Sequence, residues 1–182
     1  MNDHKQDKLY NLITYFVKNT ERCYKTKLFK LLYHADFEHF KQVGQSITGL
    51  RYFAWPKGPV PIELENEIKK PSREFLEYFT VRGAEDGIRV VPKKPFSRDF
   101  ITDREFEIIE KISFIFKEAI TDAMIESTHM RKHPWDVTKK TKGMSKEIDY
   151  TLIFETDHPD LLSKEEYQER LKNGAALNQF FK

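Results

Sequence analysis

The first apolar positions of the chain recur with helical spacing. Leu9, Leu12, Ile13, Phe16 and Val17 form one stripe, which predicts an amphipathic helix that loosens at Asn19-Thr20. A second helix is predicted from Thr26 to Val43, with Thr26 as N-cap and Gly44 as C-cap. Leu28, Leu32, Ala35 and His39 make one of its faces, and Phe29, Tyr33, Asp36, Phe37 and Phe40 the next. So wide an apolar arc marks a central, mostly buried helix.

The period then changes. Ile47 to Trp55 is rich in β-branched and aromatic residues and reads as a strand ended by Pro56. Gly58-Pro59-Val60-Pro61 reads as a rigid corner, because each proline locks its own φ and restricts the residue before it. Pro61 can open a short helix to about Ile68. Tyr78–Arg82 and Ile88–Val91 flank GAEDG, a hairpin with a five-residue loop. Thr102 and Glu105 form a capping-box pattern before a helix whose face is Ile108, Ile112, Ile115 and Ala119, widened by Phe106 and Phe116. A further helix runs from Asp122 to about Arg131 and must end near Lys132, since Pro134 pushes its predecessor out of helical geometry. Tyr150–Phe154 reads as a short strand, and Ser163 with Glu166 caps a short polar helix from Lys164 to Lys172.

These elements predict an α+β domain, mainly helical, with a small antiparallel sheet built from Ile47–Trp55 and the hairpin around Gly83–Gly87. The expected domain covers residues 1–155. Residues 156–182 form a C-terminal helical extension of unassigned role. There is no internal repeat and no low-complexity linker.

Composition refines this picture. Only 39% of residues are hydrophobic, but 15 Phe and 8 Tyr supply large buried areas and favour an ordered core. Charged residues make up 33%, yet the net charge is +2, so no global field selects an acidic partner. The basic run from Arg131 to Lys146 reads as a solvated loop. It lacks a recognisable reading fold beside it, so nucleic acid is not expected as a partner. Cys23 is the single cysteine, which excludes an internal disulfide framework and a cysteine-based zinc site. No apolar run approaches a membrane span and no signal core is present, which makes the cytoplasm the expected compartment.

One stretch carries more information than the rest. KLLYHADFEHFKQVGQSITGLRYFAWPKGPVP, Lys30 to Pro61, joins a buried helix bearing polar residues to a glycine turn, an aromatic segment and a proline-rich corner. It resembles the Panacea, or SocA-like, antitoxin family of bacteria and phages. That family shows a K-L-L-Y-x-A-D helix, then G-x-x-I-T-G-x-x-Y, then G-P-V-P. Here these read Lys30 to Asp36, Gly44 through Ile47-Thr48-Gly49 to Tyr52, and Gly58 to Pro61. Glu126-Ser127-Thr128-His129 followed by Pro134-Trp135 is similar to a further family stretch, S/T-H-x-x-x-x-P-W. The resemblance implies an antitoxin that neutralises a protein toxin encoded by a neighbouring gene, by direct binding; separately, no enzymatic activity and no cofactor are expected, since no catalytic or phosphate-binding motif is present.

Candidate site residues follow. Tyr33, Asp36 and His39 share one helical side, and with His129 they make a polar cluster. It reads either as a pocket for a partner or ligand, or as a buried aspartate that holds the fold together; the second reading is favoured, because buried acids must be hydrogen-bonded. A contact between His129 and Asp36 would bring the two motifs to one site. A partner-binding patch is expected from Tyr52, Trp55, Pro59, Val60 and Trp135. The tryptophans are either interface anchors or core. The alternatives are a metal-dependent hydrolase using Asp36, His129 and His133, and a phage or host interaction protein without a toxin. The metal reading is disfavoured: HMRKH lacks the glutamate of H-E-x-x-H, and no metal is expected. Cys23, without an identifiable base, is no candidate nucleophile.

Overall fold

The computed structural model describes residues 3–129 and 133–155. Seven α-helices, two hairpins and one 3-10 helix occupy them. The order is α1 (Asp3–Asn19), α2 (Lys25–Val43), β1 (Tyr52–Trp55), β2 (Gly58–Pro61), α3 (Ile62–Lys69), α4 (Arg73–Tyr78), β3 (Phe79–Ala84), β4 (Gly87–Pro92), α5 (Asp103–Ile115), α6 (Thr121–His129), α7 (Pro134–Thr141) and the 3-10 turn Tyr150–Phe154. This is the expected α+β, mainly helical class.

α2 is the axis of the molecule. Every side chain from Lys27 to Phe37 is buried, and α1, α5, α6, β2, β4 and the 3-10 turn all pack against it. Its wide apolar arc is the cause: no single neighbour can cover it. Leu12, Ile13 and Phe16 of α1, Leu31, Leu32 and Ala35 of α2, and Ile109 and Ile112 of α5 are wholly buried and form the helical core. Aromatics fill its two ends. Tyr10 packs on Phe75, Tyr78 and Phe79 with ring centroids 4.9–5.7 Å away, and Phe37 stacks on Tyr150 at 4.4 Å.

Several local expectations hold. Gly44 ends α2 in the left-handed region at φ 73°, where glycine has no steric penalty. The Thr102–Glu105 capping box is formed in both directions. Others are corrected. The N-cap of α2 is Tyr24, without a side-chain cap, because Tyr24 is held in extended geometry by a bridge to Arg89. The strand expected from Ile47 shrinks to Tyr52–Trp55, since Gly49 at φ 73° breaks the extended path. Gly58–Pro61 is not a corner but strand β2, antiparallel to β1 across a two-residue Pro56-Lys57 turn. The second hairpin also closes on two residues, because Ala84 pairs with Gly87. The two hairpins are separate sheets, not one.

Tyr150–Phe154 is a 3-10 turn instead of a strand, capped by the Asp149 carboxylate accepting from the Thr151 amide. Part of the basic run is helix α7, which uses Pro134 in its first turn, where a missing N–H costs nothing. Helix α4 was not expected, and α5 stops at Ile115, short of Ala119. The C-terminal extension, with its expected helix from Lys164, lies outside the described residues, as does the end expected for α6 near Lys132. Among the described residues no helix is long and apolar enough to cross a membrane.

Candidate functional site

The motif residues build two adjoining clusters around α2, one at Asp36 and one at Lys30. The first is built around Asp36, which is fully buried. The turn after α2 returns Thr48 to it. The Thr48 amide donates to Oδ1 at 2.8 Å, the Thr48 hydroxyl to Oδ2 at 2.5 Å, and the Tyr52 hydroxyl to Oδ2 at 2.7 Å. Burial nevertheless pushes the Asp36 carboxyl up to about 6, against the downward pull of these donors. The same burial, with the Asp36 charge beside it, raises the Tyr52 phenol well above its ordinary value. Asp36 thus fastens the Ile47–Tyr52 segment to the helix, the structural role favoured from the sequence.

The other members expected around Asp36 do different work. His39 donates from Nδ1 to the Gln45 carbonyl at 2.6 Å and ties down the turn after α2. Tyr33 sits edge-on to Tyr52 at 5.4 Å and close to the backbone of Trp135, but its buried hydroxyl makes no hydrogen bond of normal geometry. His129 is not in the Asp36 cluster. Its ring lies flat on Trp135, centroids 3.7 Å apart at 9°. Asp36 and His129 neither hydrogen-bond nor pair, so the expected meeting of the two motifs at one carboxylate does not occur.

The second cluster centres on Lys30, which the sequence reading passed over. Its side chain is 1% exposed and Nζ donates to the Pro59 carbonyl at 2.7 Å. Burial lowers its amine to about 7. Gly58 lies against it at φ 96°; a Cβ there would sit 2.8 Å from Lys30 Cε and 2.8 Å from Thr128 Oγ1. Trp135 Nε1 donates to the Trp55 carbonyl at 3.1 Å and closes the cluster over β1. His129, with burial first and the Lys30 charge second, is held down at about 4 and is therefore neutral at pH 7.

His34, on the same helix, is lowered to about 3 by burial and by His133 and Lys30. It lies 2.9 Å from Ser127 Oγ. The Ser127 hydroxyl gives its single proton to the Met124 carbonyl, so His34 Nε2–H is the donor of that pair. A lysine inside an otherwise apolar helical arc was the available signal for Lys30.

The register explains the prolines of β2. Ala54 and Tyr52 turn their free backbone groups away from β2 and bond to Ser145, Lys146 and Ile148. Pro59 and Pro61, opposite them, face outward on the far edge, where they offer no N–H. The outward Pro59 carbonyl is the one that Lys30 takes. Both edges of the hairpin are therefore occupied or silent.

Of the expected partner-binding patch, Tyr52, Pro59, Val60 and Trp135 are buried, and Trp55 is half-buried. At those four buried positions the aromatic and proline content serves interior packing. The remaining chemistry is also resolved. His129 lies in α6, while His133 has extended backbone geometry as the N-cap of α7, so the two do not sit on one continuous helix. Among the described residues no group of three or more His, Cys, Asp or Glu is placed to hold a metal. Cys23 is buried and its thiol is pushed up to about 11, away from the reactive thiolate.

Residues 28–136, from α2 through both hairpins to the His129–Trp135 stack, match the family model "Antitoxin SocA-like, Panacea domain". The chain belongs to that family. No curated protein and no solved structure matches it. Within this Panacea domain the matched span begins at the buried helix and ends at the tryptophan that locks β1, so the family pattern coincides with the two clusters that join them.

Proposed function

We propose that the chain is the antitoxin of a toxin–antitoxin pair and neutralises its toxin by direct protein–protein binding. The observation that carries this reading is the match to the antitoxin SocA-like, Panacea domain over residues 28–136. The geometry supports a binding role. The polar residues of the motifs, Lys30, Asp36, Thr48 and Tyr52, are spent on holding the hairpin and the following turn to α2. They preorganise a surface, and a preorganised surface loses less entropy on association. Of the five residues expected to touch the toxin, Trp55 is the one that reaches solvent, with the Lys69 ammonium 5.9 Å from its ring. Trp135 positions it through the bond from Nε1 to the Trp55 carbonyl. In this reading the partner is a protein.

The test is co-expression in a bacterial host. The neighbouring small reading frame is expressed alone and together with this chain. Growth arrest alone, rescue by the pair and co-purification of the two proteins are expected. A harmless neighbour, or arrest that this chain does not relieve, overturns the reading.

A further inference from the structure

Strand β3 is an open edge. In its hairpin, the bond from the Lys93 amide to the Tyr78 carbonyl places Tyr78, and with it Thr80, Arg82 and Ala84, at the positions that bond to β4. Phe79, Val81 and Gly83 therefore turn their backbone groups outward. The Phe79 amide is used by α4, bonding to Phe75 O. The Phe79 carbonyl and the amides and carbonyls of Val81 and Gly83 meet no hydrogen-bond partner among the described residues. The opposite edge of the sheet is covered, since Tyr24 bridges to Arg89 on β4. β3 carries no proline and no break in register between Phe79 and Ala84, two of the devices that blunt a free edge, and Arg82 is its one charged residue.

The solvent face of the same hairpin is basic. Arg82 and Arg89 are directly opposite in the ladder and both are exposed. Like charges at opposed positions disfavour each other, and among the described residues neither has a carboxylate partner; Arg89 instead lies over the Tyr24 ring at 4.9 Å. The other face, with Phe79, Val81 and Val90, belongs to the core or packs against it.

We infer that the β3 edge docks an extended segment of the partner protein as a third strand. Its acidic residues lie on the side of Arg82 and Arg89, and apolar residues alternate with them on the side of Val81. Backbone bonds to Val81 and Gly83 supply the attachment, and the two arginines supply the preference for carboxylates. That this partner is a toxin rests on the function proposed above; the chemistry of the edge does not.

Amide hydrogen exchange with a defined probe separates the two. The probe is a synthetic heptapeptide alternating glutamate and valine, with its lysine-for-glutamate counterpart as control. The acidic peptide at saturation is expected to slow exchange at Val81 and Gly83 by about tenfold or more, while Thr80 and Arg82, already bonded to β4, change little. Arg82→Glu puts opposite charges across the ladder, so the hairpin stays folded while affinity for the acidic peptide falls about tenfold. Unchanged exchange at Val81 and Gly83, or equal protection by the basic peptide, overturns the inference.

In the co-expression assay Val81→Pro, which removes an outward amide without touching the ladder, is expected to lose rescue, as is Arg82→Glu. Rescue by both variants overturns the edge as the docking surface. Failure of rescue by the unaltered chain is instead the failure of the antitoxin reading, and the exchange data then decide the edge by themselves.

Discussion

The two hairpins of this chain are built alike and finished differently. Each is antiparallel and closes on a two-residue turn. In β1–β2 one edge is taken by the 145–148 segment, and the other lacks donors because prolines stand at both outward positions. Its last outward carbonyl is capped by a buried lysine. In β3–β4 one edge is bridged by Tyr24, and the other has amides that meet no partner among the described residues, with two opposed arginines beside it. A strand's own pairing thus says little about its role. What its outward groups meet decides whether it serves as framework or as a place to dock.

The largest effect that would sharpen this contrast comes from one substitution made in both hairpins. Gly58→Ala places a Cβ within 2.8 Å of Lys30 Cε and Thr128 Oγ1 at a φ of 96°. It is expected to cost about 3–5 kcal/mol by denaturant titration. Gly83→Ala meets nothing within 4 Å and should stay within about 0.5 kcal/mol of the parent. Equal costs would erase the distinction between framework and free edge.

Next is the buried lysine. The amine of Lys30 is lowered from its ordinary 10.5 to about 7 by burial. Between those values the unfolded chain binds a proton that the folded chain does not, so stability rises with pH across that window. About 3 kcal/mol of increase between pH 7 and 10 is expected from this group, and Lys30→Met should remove that slope in thermal melts. A slope that survives the substitution would assign it elsewhere.

Tyr52→Phe takes one donor from the Asp36 carboxylate and should cost about 1–3 kcal/mol at pH 7. Because the raised Asp36 carboxyl favours its neutral form, the loss should shrink as pH falls below about 6. A pH-independent loss would mean that packing of the ring, not its hydroxyl, is what matters. The smallest effect belongs to the open hairpin. Arg82→Glu, opposite Arg89, is expected to raise stability by about 0.2–1 kcal/mol. A loss on this change would show that Arg82 already has a role in the folded chain.

Much of this was legible beforehand where local rules act alone. The Thr102 box and the Gly44 cap need only neighbouring residues, and both stand as expected. Helix α2 was recognisable as central from its apolar arc. The GPVP segment was misread because proline constrains φ equally in a corner and on a strand edge; the choice depends on what lies on either side of it. Tyr150–Phe154 has a strand's composition, but the Asp149 cap bends it into a 3-10 turn. The site showed the same limit. Tyr52 and Trp135 have the composition of interface anchors, and their burial depends on elements far along the chain.

Sequence alone determined the family, the mainly helical α+β class and the central helix, since these follow from periodicity, caps and a long ordered motif. Tertiary structure decided that Asp36 meets Thr48 and Tyr52 instead of His129. It made Lys30 a buried clamp, and it left one hairpin edge paired and the other without partners among the described residues. Those outcomes rest on distances between residues remote in the chain, which no local propensity encodes.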